Sequence, residues 1–437
     1  MAKTNYRKER RTNFMRKMEK DSIALIPSAP KCVRNKDVEY PYRQDSDFFY
    51  LTGFGEPHAV AVFIPADDRK KGKFILFCSP ADPEEATWVG KNAGLDGATE
   101  MYGADESFPI DEFEKRLPDL LENRKRIYYP FDSKLPKKVA AAVLKLREKV
   151  RAGAVAPSEF VEIEHILHKM RMIKTPRELA HIRHTINVSV KAHIRAMKFC
   201  RPGMFEYQIE AELLHEFMKN GLRNVAYPSI VAGGKNACIL HYTDNCDALH
   251  DGDLLLIDAG AESPEHWAAD ITRTFPVNGR FTEPQKLLYQ LVLDAQLAVI
   301  ALVYPGTSWD LLLDTAVRLI TEGLVKLGLL EGDVDELIKN ETYKKFYMHR
   351  IGHWLGLDVH DVGDYKVNGK WRILRTGMVL TVEPGIYVQP DDMSVDEKWR
   401  GIGIRIEDDI LVTKDGCEVL SAAAPKTIEA IEHLMKT

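Results

Sequence analysis

Four strand-like apolar stretches that carry an acidic residue constrain the fold of this chain more than any other feature. Two of them, Leu254–Asp258 and Val379–Glu383, end in a carboxylate after residues that are all apolar in the first and apolar except for Thr381 in the second. Asp270 leads a third stretch, and Glu407 lies within a fourth. A buried carboxylate without a partner costs several kcal/mol or takes up a proton. The fold must therefore expose these acids or give them counter-charges.

The local patterns around these acids leave more than one interpretation open. Ser263–His266 has the composition of a turn, and a hairpin at that point would bring Asp258 and Asp270 onto neighbouring strands. The alternative is a surface hairpin whose acids face water. Further along, the period-two rule predicts that Arg405 and Glu407 share one face of a strand. The arginine could orient the glutamate as a site residue, or the two could form an ordinary ion pair at a sheet edge.

Histidines are concentrated in one short segment of the second half. His349, His353 and His360 occur among glycines and large apolar residues, which suggests a shaped site rather than isolated polar groups. The pairs His165/His168 and His181/His184 have helical spacing in charged segments and are expected on solvated faces.

A single cavity that contained all four acids would need cations. Four carboxylates within a few ångströms cannot all remain ionised unaided. Two divalent ions would balance them, and with one imidazole added the oxygen-rich site favours manganese, although zinc, cobalt and iron also fit. Carboxylates that bridge two ions about 3.5–4 Å apart form a hydrolytic centre. The sequence therefore predicts a two-metal hydrolytic site.

The sequence changes character near residue 173 and predicts two domains, 1–172 and 173–437. Residues 22–130 alternate short β-like runs with helical stretches, as α/β domains do. Thr175–Glu178 has the form of a capping box with proline at the first helical position, followed by an amphipathic helix. The predicted strands are 23–26, 60–64, 74–78, 127–129, 253–259, 378–383 and 402–412, and the predicted helices are 112–123, 137–150, 205–220, 283–303 and 309–327.

Composition excludes several classes of protein. The 60 Lys and Arg are offset by 65 Asp and Glu, for a net charge of −5, so nucleic acid is not an expected partner. The longest apolar run, Leu297–Tyr304, is far shorter than the ~20 residues of a membrane helix. The six cysteines include no CxxC pair, and we expect reduced thiols and a cytoplasmic location.

The amino terminus is the one segment with a biased composition. Residues 1–20 contain eight basic side chains against two glutamates. Import presequences are poor in acids and rich in serine, whereas this segment has neither property. A solvated first helix is therefore favoured over a presequence or an anion-binding arm.

Five motifs resemble the metal-site motifs of the pita-bread-fold metallopeptidases, a group that includes methionine aminopeptidase, prolidase and aminopeptidase P. They are LLLIDAG, ADITRTFPVNG, HWLGLDVHD, LTVEPGIY and GIGIRIEDD. Four further segments resemble the aminopeptidase P family in particular: Tyr40–Gln44, Tyr50–Phe54, Arg201–Tyr207 and Cys238–Thr243. The resemblance covers nearly the whole chain.

This resemblance implies a fold and a role for each motif residue. An α/β domain for assembly and access control would precede a pita-bread catalytic domain. Asp258 would chelate one metal, Asp270 and Glu407 would bridge both, and His353 with Glu383 would hold the other. The remaining implied roles are substrate and oxyanion contacts for His241 and His360, a substrate contact beyond the scissile bond for His349, and an orienting role for Arg405.

One departure from the family pattern lies between the first two acids. Eleven residues separate Asp258 from Asp270, one more than the family usually has. We place the additional residue in the Ser263–His266 turn, where hairpins tolerate insertions. The departure affects the geometry of the turn more than the predicted metals.

The implied function is a metalloaminopeptidase that releases the residue preceding a proline at the second position of a peptide. A hydroxide that bridges two ions would attack the carbonyl, and Glu383 would carry the proton to the leaving nitrogen. Prolidase, which cleaves only Xaa-Pro dipeptides, is the nearest alternative, and a non-catalytic peptide-binding protein is a remote one. Trp88 matches a family position that reaches a neighbouring active site, with core packing as the alternative. A homo-oligomer is thus expected, with a tetramer favoured over a dimer.

Overall fold

The computed structural model describes residues 2–68 and 71–436. The chain divides into two compact units, residues 1–170 and 171–437. The boundary expected from the sequence, after residue 172, lies beside this division. Among the described residues, no helix combines the length and apolar composition that crossing a membrane requires.

The first unit is built on a mixed β-sheet. Its strands are β1 (Ser22–Pro27), β2 (Val33–Asn35), β3 (Val38–Glu39), β4 (Val60–Ile64), β5 (Lys73–Cys78), β6 (Glu106–Pro109), β7 (Arg126–Tyr129) and β8 (Glu159–Glu162). Its helices are α1 (Ala2–Arg16), α2 (Ser46–Thr52), α3 (Pro83–Val89), α4 (Gly94–Glu100), α5 (Phe113–Leu121), α6 (Leu135–Glu148) and α7 (Glu164–Met172), which continues into the second unit. Six strands form one sheet in the order β6-β5-β4-β1-β7-β8, and β2 pairs with β3.

The apolar runs of this unit form the central strands because their side chains fill its core. β1 pairs antiparallel with β4 and parallel with β7, and Ile23, Leu25, Val62 and Ile127 are buried between the sheet and α5 and α6. The four predicted strands and two predicted helices of this unit are confirmed, within a few residues at their ends. The edge strands β6 and β8 are not predicted, because their residues are mostly half-buried and lack an apolar pattern.

The basic amino-terminal segment forms α1, but one of its arginines is not solvated. Arg11 and Phe14 are buried. The Arg11 guanidinium donates a hydrogen bond to the Leu51 carbonyl (3.1 Å) and lies 4.6 Å from the centroid of the Phe74 ring. Burial lowers the pKa of Arg11 to about 10. The expectation of a solvated helix is wrong at this position because a planar guanidinium can stack on an aromatic ring while it donates to carbonyls.

Trp88 does not pack in the core of its unit. Every residue of α3 is exposed or half-buried, and Trp88 itself is 84% exposed. Core packing, the alternative interpretation of this residue, is therefore wrong.

The second unit combines long helices with short curved strands. Its strands are β9 (Asn224–Val225), β10 (Ile230–Gly233), β11 (Leu254–Asp258), β12 (Ala261–Glu262), β13 (Thr272–Pro276), β14 (Lys366–Val367), β15 (Lys370–Trp371), β16 (Val379–Val382), β17 (Gly385–Tyr387), β18 (Gly403–Arg405), β19 (Asp408–Val412) and β20 (Cys417–Val419). Its helices are α8 (Pro176–Phe199), α9 (Glu206–Lys219), α10 (Glu283–Ala301), α11 (Trp309–Lys326), α12 (Val334–Lys339) and α13 (Ile428–Leu434).

Three small antiparallel sheets position the site: β10-β11-β13, β16-β19-β20 and β17-β18. Helix α10 packs against β16, β17 and β18, and α8 packs against α9. The predicted capping box is present, since the Thr175 hydroxyl accepts from the Glu178 amide and the Glu178 carboxylate accepts from the Thr175 amide. The predicted helices 205–220, 283–303 and 309–327 are α9, α10 and α11.

The single strand predicted at 402–412 is wrong, because the structure has two strands there. β18 pairs with β17, whereas β19 pairs with β16 and β20. The chain leaves one sheet and enters the other at Ile406 and Glu407, where the Glu407 amide donates to the Thr272 carbonyl (3.1 Å). Only Ile406 and Glu407 separate the two strands, and neither is a turn residue, so the sequence does not reveal a change of partner.

Candidate metal centre

The first two acids come together because their strands are neighbours. Asp258, the last residue of β11, lies opposite Thr272 of β13, and Asp270 precedes that strand. The Tyr227 hydroxyl lies 2.6 Å from Asp258 Oδ1 and 2.5 Å from Asp270 Oδ1. The predicted pairing of neighbouring strands is confirmed. Both acids face a cavity, so the alternative of a surface hairpin is wrong.

A glycine permits the close approach of these two segments. A Cβ atom on Gly260 would lie 1.7 Å from the Ala269 carbonyl oxygen, closer than any side chain allows. In the turn that follows, the His266 amide donates to the Ser263 carbonyl (2.8 Å), and His266 has a φ of 65°.

Glu383 and His353 are placed by backbone pairing along β16. The Glu383 amide donates to the Ile351 carbonyl (2.9 Å), and the Thr381 amide donates to the His353 carbonyl (2.9 Å). Gly352 is needed between them, since a Cβ atom there would lie 2.0 Å from the Thr381 carbonyl oxygen. His353 therefore projects beside Glu383, with its Nε2 3.5 Å from Glu383 Oε1.

The His353 ring is oriented as a metal ligand would be. Its Nδ1 lies 3.0 Å from the Trp354 carbonyl oxygen, and its Nε2 lies 3.2 Å from Asp270 Oδ2. Metal-binding histidines commonly donate one ring N–H to a backbone carbonyl, which fixes the tautomer and leaves the other nitrogen for the ion.

Glu407 completes the set of acids. It is 1% exposed, and its Oε2 accepts a hydrogen bond from the Thr272 hydroxyl (2.8 Å). Ligand atoms of Asp270, His353 and Glu407 all lie within 4.8 Å of one another. Asp258 and Glu383 line the same cavity of about 400 Å³. The residues predicted to hold metals therefore converge on one cavity.

Arg405 orients a different acid from the one predicted. Its guanidinium contacts Asp258 Oδ2 (2.7 Å), the Tyr387 hydroxyl (2.8 Å) and the Thr272 hydroxyl (3.2 Å). Arg405 and Glu407 both line the cavity, but the ion pair is with Asp258. The predicted pairing fails because β18 ends at Arg405, and β11 brings Asp258 to its guanidinium.

The three other candidate histidines also line the cavity. His349 is half-buried, with its Nε2 2.9 Å from the Tyr387 hydroxyl, and burial lowers the pKa of His349 to about 4. His241 and His360 are exposed at the opening. The His360 ring centroid lies 4.4 Å from that of His353, and burial lowers the pKa of His360.

The electrostatics of the acids favour a cation. Burial raises the pKa of Asp258, of Glu383 to about 7, and of Glu407 well above its usual range. Burial acts in the same direction on Asp270, but the hydrogen bond and charge of His353 outweigh it and lower the pKa of Asp270. Burial acts to lower the pKa of His353, yet its bond to Asp270 and the nearby carboxylates raise it to about 9. These acids cannot all ionise together without added positive charge. Divalent ions supply that charge, and the carboxylate oxygens and the histidine nitrogen can act as their ligands.

Sequence reasoning assigned no role to several hydroxyl residues of the site. Tyr227 bridges two acids, Tyr387 lies between Arg405 and His349, and Thr381 donates to Glu383 (3.3 Å). Hydroxyl side chains are ordinary in strands and loops. Thr381 and Tyr387 lie within the LTVEPGIY motif, and this position was the signal that could have indicated them, whereas Tyr227 lies in none of the quoted motifs.

Known protein families match both units of the chain. The family described as "Aminopeptidase P, N-terminal domain" matches residues 7–128, and "Metallopeptidase family M24" matches residues 180–414. The chain is 46% identical over 431 residues to the Xaa-Pro aminopeptidase of Escherichia coli. This alignment covers 98% of this chain and 96% of that protein.

Solved structures agree over nearly the full length. Pseudomonas aeruginosa aminopeptidase PepP is 53% identical, with a TM-score of 0.96 over 99% of this chain and 98% of that one. Zinc-substituted E. coli aminopeptidase P in complex with product is 46% identical, with a TM-score of 0.95 over 98% of this chain and 97% of that one. The expected fold, an α/β domain followed by a pita-bread domain, is confirmed.

Proposed function

We propose that this chain, which belongs to metallopeptidase family M24, releases the N-terminal residue from peptides whose second residue is proline. The observation that carries the proposal is the convergence of Asp270, His353 and Glu407 to within 4.8 Å in a cavity that Asp258 and Glu383 also line. Similarity to Xaa-Pro aminopeptidases over 98% of the chain supports the substrate class.

Five residues would hold two divalent ions. Asp258 would bind one ion, Glu383 and His353 the other, and Asp270 and Glu407 both. We favour manganese because the donors are mostly carboxylate oxygens, with zinc, cobalt and iron as alternatives. Bound ions would polarise the substrate carbonyl and lower the pKa of a water molecule.

The other residues would bind and orient the peptide. The substrate amine would dock near Asp258, which Arg405 holds in place through their 2.7 Å ion pair. His241 and His360 at the opening would contact the carbonyl and stabilise the charge that develops on its oxygen. His349 would contact the peptide beyond the scissile bond, and Glu383 would pass a proton to the leaving nitrogen.

Two treatments and two substrates test this proposal. A chelator should abolish hydrolysis, and manganese(II) should restore it. Xaa-Pro-Xaa tripeptides should be cleaved, because the aminopeptidase, unlike a prolidase, accepts residues beyond proline, and Xaa-Pro dipeptides serve as the comparison. Hydrolysis that persists after chelation would contradict the metal mechanism, and cleavage of dipeptides alone would make the chain a prolidase. A chain that binds these peptides but cleaves neither would be the non-catalytic relative.

We further propose that residues 1–172 serve assembly and access, and that the chain forms a homotetramer. Exposure of 84% of Trp88 and 75% of its neighbour Val89 supports a contact with a second copy. Trp88→Ala should shift the assembly towards smaller species in sedimentation velocity, whereas Met101→Ala, at a residue that is 63% exposed, should not. A wild-type monomer at micromolar concentration would contradict the assignment.

We also propose a cytoplasmic location. All six cysteines are free thiols, three of them buried, which suits a reducing compartment.

A further inference from the structure

A buried carboxylate that does not line the metal-centre cavity binds the segment that carries His241. Glu206, the first residue of α9, is 0% exposed. Its Oε1 accepts hydrogen bonds from the Gly233 amide (2.7 Å) and the Asn236 side chain (3.0 Å). Its Oε2 accepts from the Tyr242 hydroxyl (2.8 Å) and the Asp247 amide (2.9 Å).

These four donors belong to the two ends of one segment. Gly233 and Asn236 begin it, and Tyr242 and Asp247 end it, so the carboxylate closes residues 233–247 into a loop. The Glu206 amide also donates to the Asp247 carbonyl (3.0 Å). Each oxygen of this buried carboxylate accepts two hydrogen bonds, so the charge is satisfied without a counter-ion.

The loop carries cavity residues but lacks regular structure where they lie. Leu240, His241 and Thr243 line the cavity, and His241 is in a turn outside every strand. Tyr242, the next residue, is only 8% exposed and points its hydroxyl to Glu206. The contact between Tyr242 and Glu206 therefore anchors the backbone directly next to His241, which lines the cavity.

We propose that Glu206 and Tyr242 are positioning residues that hold His241 against the substrate without touching it. The inference rests on the proposed function, in which His241 contacts the peptide. Neither residue is among those assigned to the metals or to substrate contact. Their effect on catalysis should therefore pass mainly through His241, the residue of this loop to which a substrate contact is assigned.

A double-mutant cycle tests this coupling. With a manganese-loaded enzyme and an Xaa-Pro-Xaa tripeptide, Tyr242→Phe should lower kcat/KM by about 5- to 20-fold, mainly through KM. In a His241→Ala background the same change should have less than about a twofold effect, since residues that act through one another are not additive. Equal effects in both backgrounds, or no effect in the wild type, would overturn the proposal.

Matched measurements separate positioning from general destabilisation. Tyr289→Phe also removes a buried tyrosine hydroxyl, which donates to the Lys426 carbonyl (2.8 Å), and should lower the melting temperature while kcat/KM changes less than about twofold. Metal content should be the same in wild type and Tyr242→Phe. If Tyr289→Phe lowers kcat/KM as much as Tyr242→Phe does, the effect is one of destabilisation and the proposal is overturned.

Hydrogen exchange tests the contact independently of hydrolysis. In the full chain, Glu206→Gln should raise amide exchange in residues 233–247 by at least about tenfold, because an amide nitrogen cannot accept the two bonds that one carboxylate oxygen accepts. Unchanged exchange would overturn the inference even in an active enzyme. If the wild type is inactive but Glu206→Gln still raises the exchange as expected, the proposed function is contradicted and the loop contact is supported.

Discussion

The acids of the cavity and its outer histidines are held in place by different means. Asp258, Asp270, Glu383 and Glu407, here called the carboxylate wall, lie at or beside the ends of paired strands. His241, His349 and His360, the histidine wall, lie in turns or bends. Strand register fixes the carboxylate wall through the backbone. The histidine wall depends on side-chain partners.

Two of these partners are buried acids next to the histidine segments. Glu206 binds the loop of His241, and Asp361 follows His360 directly. Asp361 accepts from Arg171 (2.6 Å) and Lys174 (3.0 Å), and its side chain is 1% exposed. A residue in a loop can thus be as well positioned as one in a strand, provided that a buried polar group binds the loop.

The largest expected effect is loss of an acid from the carboxylate wall. Asp270→Asn should lower kcat/KM by at least about 1000-fold, because metal catalysis supplies several kcal/mol and about 1.4 kcal/mol is worth tenfold in rate. Bound metal, measured by elemental analysis, should fall in parallel. Asp335→Asn, at an exposed ion pair with Arg318, should change neither. An Asp270→Asn enzyme that kept full metal and a tenth of its activity would contradict the role of the wall.

A smaller effect is expected from the buried acid that follows His360. Asp361→Asn should lower kcat/KM by about 10- to 100-fold, the range typical of residues that orient a functional side chain. Metal content should stay at the wild-type level, because Asp361 supports the histidine wall. Loss of metal together with activity would show that the two walls are not independent.

The smallest effect tests whether the carboxylate wall also depends on a buried acid. Asp408 lies between Arg273 (2.7 Å) and Lys426 (2.6 Å), next to Glu407. Burial acts to raise the pKa of Asp408, but these two charges outweigh it and lower the pKa to about 2. A depressed carboxyl pKa contributes stability above the unfolded value, near 3.9, and that contribution is lost as the pH falls towards 2.

Urea unfolding of the metal-free protein measures this contribution. The wild type should have a higher free energy of unfolding than Asp408→Asn at pH 5. This difference should decrease by about 2 kcal/mol between pH 5 and pH 2. A difference that stays constant with pH would mean that the ion pairs of Asp408 do not contribute to stability and would contradict its supporting role.

The comparison of the two walls also explains which parts of the site the sequence reveals. A carboxylate at the end of an apolar strand is conspicuous, because charge is costly where the strand pattern predicts burial. The roles of the histidines are implied by the resemblance of their motifs to those of the metallopeptidase family. The supporting residues have no such charge signal: Glu206 has the position of an ordinary first-turn acid of a helix, although it lies in the Arg201–Tyr207 segment that resembles the family, and Tyr227 is an ordinary tyrosine in a loop.

Long-range pairing accounts for the predictions that failed. The ion pair of Arg405 with Asp258 joins strands that are far apart in the chain, and periodicity within one strand cannot indicate it. The break after Arg405 has the same origin, since β18 and β19 pair with different strands from another part of the chain, β17 and β16 respectively. The four predicted strands of the first unit could be recognised because they are apolar and lie inside one sheet, unlike its edge strands β6 and β8.

Anomalous diffraction at the manganese edge, from crystals of this protein grown with manganese(II), tests the metal centre most directly. We expect two peaks about 3.5–4 Å apart, in contact with Asp258, Asp270, His353, Glu383 and Glu407. A map with no peak in this cavity, or with manganese bound only elsewhere, would contradict the account.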